Sequence, residues 1–541
     1  KDTSLWKKDP KHQAIISNAL GWLSVPGLMA ERAADLRTFA DEVGMAGVRD
    51  VVLLGMGGSS LCPELFARTF PPAPGFPKLH VLDSTVPDAI MAVQRNIDLG
   101  HTLFIVSSKS GGTIETLSHY AAFYDQVKSH SGNPPGAHFV AITDPGTKLE
   151  TIGKEKQFRR IFLNPPDIGG RYSALSYFGL VPAALIGMDV AKLLDRAIRM
   201  AHSSAGCIRV DDNLGVSLGA ALGALQKTGR DKLGFVVSPP IAAYGLWVEQ
   251  LIAESTGKEG TGIVPICDEP IADPRYYGKD RIFAYLRLDE GASAEQDAGF
   301  EAIRKAGIPA VKIAVADKID LGEEFMRWEI ATATAGAILG IDAFDQPNVQ
   351  ESKDNTGRLL AEFQKTGKLP SVEPIAKQGA LTIYSGGATA QALKGQSDFR
   401  AFLRAFFGLV RPGDYFATMA YVAPSPAVDK EIAALRQAIM ERFDIATTFG
   451  YGPRFLHSTG QLHKGGPNTG LYLQITQDHR ESIPIPGAPY DFSLLNQAQS
   501  MGDFQSLEAH GRRVIRVHLS GADPIAALEA LRKEIVTAIA K

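Results

Sequence analysis

Nine residues, Ser108-Lys109-Ser110-Gly111-Gly112-Thr113-Ile114-Glu115-Thr116, place four hydroxyls, a lysine and two glycines at the end of the apolar run TLFIVSS. A helix starting within them would aim its N-terminal N–H groups and the positive end of its dipole where those hydroxyls point. Such a loop suits a phosphate monoester, which needs many short donors and a closely approaching backbone. A helix cap uses one hydroxyl, not four. Upstream, VVLLGMGGSSLCPE (Val51 to Glu64) runs from a strand through Gly55-Met56-Gly57-Gly58 to Ser59 and Ser60 at a helix start. This is either an anion cradle or a tight strand-to-helix turn. It departs from the dinucleotide fingerprint, because Ser60 stands where the third glycine of Gly-x-Gly-x-x-Gly belongs.

Loops of this kind need strands that end at a common edge. VVLL, KLHVLDS (78–84), TLFIVSS (102–108), HFVAITD (138–144) and RRIFL (159–163) alternate with helix-like stretches, which predicts an α/β fold with a parallel sheet covered on both faces. Ligands of such sheets sit at the carboxyl ends of the strands, here after Leu54, Val106 and Asp144. Residues before 50 read as helices, Gln13 to Leu23 and Met29 to Val43, with a break at Pro26-Gly27. A second α/β unit opens near Lys232 with LGFVVSP, RIFAYLRL (281–288), AVKIAVA (310–316) and a long helix over Glu323 to Gly340. Strands return in YFATMAYV (415–422), LYLQIT (471–476) and VIRVHLS (514–520), which either complete the second sheet or form a part of their own. The Pro-rich stretch Ile483 to Tyr490 reads as a surface connection.

At 541 residues the chain exceeds a single core. A net charge of −3 supplies no basic field for nucleic acid or an anionic membrane, so an anionic ligand must be captured locally. Cys62, Cys207 and Cys267 lack disulfide or Cys-x-x-Cys spacing and read as small buried apolar residues. No apolar run reaches the roughly 18 residues of a membrane span and no signal-peptide pattern opens the chain, so the expected location is the cytoplasm.

The two glycine–hydroxyl loops together resemble the sugar isomerase (SIS) domain, and three later segments narrow the resemblance to the glucose-6-phosphate isomerase family. Asp167-Ile168-Gly169-Gly170-Arg171-Tyr172-Ser173 is similar to its Gly-Gly-Arg-Tyr-Ser signature, and Glu249 to Lys258 (EQLIAESTGK) to its catalytic glutamate segment. Phe344 to Lys353 (FDQPNVQESK) resembles its Asp-Gln-x-x-Val-x-x-x-Lys segment. The resemblance implies a reversible aldose–ketose isomerisation of glucose 6-phosphate and fructose 6-phosphate through a cis-enediol, with Glu254 as base, Arg171 on the developing oxyanion and Lys353 assisting. Ser59, Ser108, Lys109, Ser110, Thr113 and Thr116 would hold the phosphate, with Gln250 and Gln346 orienting the sugar. Gln250 lies one helical turn before Glu254. No cofactor or metal is implied, because the reaction involves no net redox change.

One departure concerns the family's ring-opening histidine, which precedes the Gln…Lys segment. No histidine lies between His202 and His457, and the local analogue carries Arg275. Leu456-His457-Ser458-Thr459-Gly460-Gln461 instead resembles the histidine stretch of some bacterial members, placed after Lys353. His457 is therefore the expected ring opener, with His463 as fallback. This order and the start at Lys1 resemble the isomerase portion of bifunctional transaldolase/glucose-6-phosphate isomerase fusions, so a transaldolase part fused to the chain is an expectation. A homodimer is implied by the family, whose histidine comes from a neighbouring subunit. The expected organisation is a helical segment (1–50), two SIS-type doubly wound domains (51–205 and 206–377) and a region 378–541 that completes the site, through rearranged connectivity in the second sheet or as an added α/β part. A non-catalytic sugar-phosphate-binding regulator and a dual phosphoglucose/phosphomannose isomerase are the alternatives.

Overall fold

The apolar run at Val51 forms strand β1 (Asp50–Gly55), buried from Val51 onward, in the computed structural model, which describes residues 2–130 and 134–540. It is followed by β2 (Lys78–Leu82), β3 (Thr102–Ser107), β4 (Phe139–Thr143) and β5 (Arg160–Leu163). All pair in parallel in the order β2-β1-β3-β4-β5. The strand order reverses between β1 and β3, so the crevice for a ligand opens at their carboxyl ends, where the two glycine–hydroxyl loops lie. Alternation divides the strands between two cores. Val51, Leu53, Leu103 and Ile105 join the core shared with the N-terminal helices and the second sheet, while Val52, Leu54, Phe104 and Val106 face the opposite side.

The second sheet is likewise parallel, with β6 (Lys232–Val237), β7 (Val264–Ile266), β8 (Arg281–Leu288) and β9 (Ala310–Val315) in the order β7-β6-β8-β9. The long helix runs over Leu321–Leu339 and ends on Gly340 in the left-handed region.

Residues beyond 375 build a third sheet from β10 (Ala376–Gln378), β11 (Leu381–Tyr384), β12 (Tyr415–Tyr421), β13 (Ala446–Tyr451), β14 (Gly470–Gln477) and β15 (Arg513–Leu519), ordered β10-β11-β15-β14-β12-β13. Its last four strands are parallel and pair only with one another and with the antiparallel β11, not with β6 to β9. This corrects the expectation of rearranged connectivity in the second sheet. Phe402, Phe406, Phe416, Ile432, Leu473 and Leu531 give the new sheet its own core.

Three smaller expectations also change. Ile483 and Ile485 of the Pro-rich stretch are buried with Phe492 and Leu495 against the Val52–Leu54 face of the first sheet, so this segment docks the third sheet onto the first. Pro26-Gly27 starts the helix Val25–Ala30 instead of breaking one, because a proline in the first turn has no N–H partner to lose. Cys207 is exposed, whereas Cys62 and Cys267 are buried. Among the described residues no helix is long and apolar enough to cross a membrane.

Candidate active site

The hydroxyl loop leaves β3 and enters the helix Ile114–His130, as its composition requires. Ser108 Oγ meets Thr113 Oγ1 at 2.9 Å, closing the loop on itself, and Gly111 takes a φ of +64°. A Cβ on Gly111 would lie 2.6 Å from the Thr147 side chain. The Lys109 ammonium does not turn to the loop: it pairs with Asp144 at the end of β4 and donates to Pro166 O at 3.0 Å. Two of the three ammonium N–H groups of Lys109 are thus taken by protein. Thr116 is fully buried within the helix.

Beside this loop a cleft of about 170 Å³ is lined by Ser110, Thr113, Glu115, Lys353, His457 and Gln499, among others. Lys353 comes from the helix Pro347–Thr366, and His457 from the short 3-10 turn Arg454–His457 after β13. That turn is anchored at its first residue. Arg454 donates from Nε (2.7 Å) and Nη2 (2.8 Å) to the two oxygens of Asp83, just past the end of β2. Ser60 Oγ donates to the same carboxylate at 3.1 Å.

His457 Nε2 lies 2.9 Å from Glu115 Oε1. A carboxylate can only accept, so the proton sits on Nε2 and Nδ1, with no protein partner among the described residues, is the nitrogen available for chemistry. Glu115 is 3 % exposed; burial opposes its charge, but the His457 imidazole, followed by Lys353, outweighs burial and holds the carboxyl below its ordinary value. Gln499 Nε2 donates to Glu115 Oε1 at 2.7 Å. His463 lies apart, buried edge-on against Tyr472 with ring centroids 5.2 Å apart. Burial, with Lys464 and Arg512 beside it, pushes its pKa well below the usual histidine value, so it stays neutral in the core.

A second group of side chains adjoins the first through one amide. Gln250 and Glu254 share a face of the helix Tyr244–Thr256, and Gln250 Nε2 donates both to Glu254 Oε2 (3.0 Å) and to His457 O (2.8 Å). Arg171 approaches Glu254 Oε1 with Nη1 at 3.6 Å and is otherwise saturated. Its Nε donates to Ser255 Oγ (2.7 Å), Nη1 to Gln346 Oε1 (2.9 Å), and Nη2 to Ala343 O (2.7 Å) and Asp345 O (3.0 Å). One Nη1 N–H is thus left pointing at the glutamate. Lys258 is buried behind it and donates to Asp342 O and Asp345 Oδ1, both at 2.7 Å; burial and then the Arg171 charge bring its pKa down to about 8.

The glycines of GMGGSS make room for protein. A Cβ on Gly57 (φ +55°) would lie 2.8 Å from His457 O, and one on Gly58 would lie 2.0 Å from Gly170 O. Ser59 is buried in this turn, its carbonyl accepting from Ser107 Oγ at 3.2 Å. Sequence reasoning passed over Glu115, Gln499 and the Asp83–Arg454 pair. Glu115 carried a signal: a carboxylate inside a phosphate-type loop needs a cation beside it, although nothing local names His457. Gln461 acts as a brace, its amide holding Asn348 N (2.8 Å) and Gly257 O (3.0 Å).

Phosphate-type donors, a carboxylate, an arginine and an imidazole therefore converge from three sheets within one chain. A model of the family described as phosphoglucose isomerase matches residues 30–258, which hold the hydroxyl loop, Arg171 and Glu254. A glucose-6-phosphate isomerase of Thermus thermophilus is 30 % identical over 385 residues, covering 63 % of this chain and 90 % of that protein. A probable glucose-6-phosphate isomerase of Methanococcus maripaludis is 29 % identical over 342 residues, covering 56 % of this chain and 77 % of that protein. Among solved structures, a hypothetical protein of Thermus thermophilus aligns with a TM-score of 0.58 at 26 % identity, over 68 % of this chain and 93 % of its own. A glucose-6-phosphate isomerase from Chlamydia trachomatis shares the fold, with a TM-score of 0.53 at 18 % identity over 67 % of this chain and 78 % of its own. The motifs, their joining through the Gln250 amide and the relatives agree: the chain belongs to the phosphoglucose isomerase family.

Proposed function

We propose that this chain is a glucose-6-phosphate isomerase, interconverting glucose 6-phosphate and fructose 6-phosphate. The observation that carries this reading is the Gln250 amide, which ties the Glu254 carboxylate and the His457 backbone into one assembly beside the hydroxyl loop. The phosphate is held by Ser110 and Thr113, with the N–H groups opening the helix Ile114–His130. Ser108 braces that loop through Thr113, and Thr116 is buried in the helix that follows. His457, with Lys353 beside it, takes the C1 hydroxyl proton on its bare Nδ1 and passes it to the ring oxygen O5 as the C1–O5 bond breaks, so the imidazole ends as it began. Glu254 then removes the proton at C2, leaving a cis-enediolate whose charge faces the spare Nη1 N–H of Arg171. A proton passes between O1 and O2, and Glu254 returns its proton to C1, so the sugar leaves isomerised and the enzyme unchanged.

His457 and Glu254 belong to the same chain, so a homodimer would not be needed to complete the site. Placing His457 after Lys353 supports kinship with the isomerase portion of the transaldolase fusions. Turnover of fructose 6-phosphate, followed with a coupled dehydrogenase, tests the reading. Glu254→Gln should lower kcat by several orders of magnitude while phosphate-ester binding persists. Absence of turnover in the intact protein would overturn the proposal in favour of a sugar-phosphate-binding regulator.

A further inference from the structure

Arg171 reaches Glu254 with its last free N–H only because four other contacts fix the guanidinium plane, and three of those come from one loop, residues 343–346. What holds that loop lies outside the catalytic elements. Asp342, fully buried, takes Phe344 N on Oδ1 at 2.9 Å and meets His12 Nδ1 on Oδ2 at 2.9 Å. The same His12 nitrogen lies 3.6 Å from Asp345 Oδ2, while Lys258 Nζ occupies Asp345 Oδ1. His12 belongs to the N-terminal helix Pro10–Ser17, 330 residues away in sequence. That segment is fastened at two further points: Trp6 Nε1 donates to Ala333 O at 2.8 Å with its ring edge-on to Phe344, and Lys7 Nζ donates to Glu259 Oε2 at 2.7 Å.

We propose that His12 is a positioning residue for the isomerase reaction, latching the Asp342–Asp345 loop and so setting the direction of the Arg171 N–H that faces Glu254. The Lys258 ammonium satisfies one Asp345 oxygen and the loop carbonyls, whereas the outer oxygen of Asp342 is met by His12. Removing the imidazole leaves a buried carboxylate oxygen without a protein donor, and because the His12 ring is partly exposed the gap opens to water, toward which the oxygen turns. The carbonyls of Ala343 and Asp345 turn with it and carry Arg171 along. The phosphate-holding loop after β3 takes no part in this movement, so substrate capture is spared.

The inference rests on the proposed isomerase activity, and the two can fail separately: absent wild-type turnover removes the activity, whereas the latch is read from variants relative to an active wild type. His12→Ala should lower kcat about tenfold or more with KM for fructose 6-phosphate changed less than threefold. His12→Asn, whose amide nitrogen can stand near the Nδ1 position, should recover kcat to within about threefold of wild type, while His12→Gln, with its amide one carbon further out, should not. Should His12→Ala fail to fold, the Asn–Gln comparison carries the test alone. A His12→Ala enzyme with lowered melting temperature but wild-type kcat, or equal kcat in the Asn and Gln variants, would overturn the role.

Discussion

Gly58→Ala isolates the contact that joins the first glycine turn to the arginine turn. The added Cβ would stand 2.0 Å from Gly170 O and 2.3 Å from Gly170 C, whereas ordinary contact begins at 3.4 Å, so one backbone must retreat by about 1.4 Å. Both candidates for retreat carry groups of the proposed mechanism. Gly170 precedes Arg171, and Gly57 lies against His457 O and the Gln250 amide. Whichever side yields, either Arg171 or the Gln250–His457 pair moves by on the order of an ångström relative to Glu254, and displacements of that size cost roughly 100-fold in rate. Overpacking costs about 1–3 kcal/mol. For a chain of this length unfolding as one unit, that lowers the melting temperature by only about 1–3 °C at about 2 cal/mol/K of unfolding entropy per residue. The expected signature is therefore a large loss of kcat in the coupled fructose 6-phosphate assay with an almost unchanged melt. Gly169→Ala is the control, because its Cβ would meet only the Tyr172 ring at 3.8 Å, and it should stay within about threefold of wild type. A Gly58→Ala enzyme within threefold of wild type, or equal losses in both variants, would refute the steric argument.

His457→Ala should slow isomerisation of cyclic glucose 6-phosphate by about 10²–10⁴-fold while sparing an aldose phosphate too short to cyclise, such as erythrose 4-phosphate. Equal losses on both substrates would remove His457 from ring opening. The acid limit of stability follows from His119, which is fully buried with Nε2 3.0 Å from Ser84 O and its ring stacked on Phe492; burial lowers its pKa to about 4. Its folded value lies below the unfolded value of about 6.5, so between the two the unfolded chain binds the extra proton. Stability must fall as pH drops through that window, by about 2 kcal/mol from this group at pH 5. Urea melts at pH 7 and pH 5 should show the loss, and His119→Phe should reduce it, leaving the share of the likewise buried His463; an unchanged pH slope in the variant would contradict the assignment.

The strands that position the site were legible because a buried parallel strand is a continuous apolar run, and each expected run appears within two residues of its predicted ends. β7 was not, since three residues including Pro265 show no period, and β10, β11 and β13 are short or rich in threonine and glycine. The hydroxyl loop could be read because its chemistry is local: four hydroxyls within nine residues mean the same thing before and after folding. The partners that hold and aim the side chains of the site could not. His457 and Glu115 are 342 residues apart, Arg454 and Asp83 371, and Gln499 and Glu115 384, and no pattern in one segment names its counterpart in another. The GMGGSS turn shows the limit most clearly. Its glycines read equally well as a cradle for an anion or as a tight turn, because both demand a backbone without side chains; what the sequence does not name is the protein packed against Gly57 and Gly58, the carbonyls of His457 and Gly170. Glycine in that turn therefore sets the spacing between the third sheet's histidine and the first sheet's arginine.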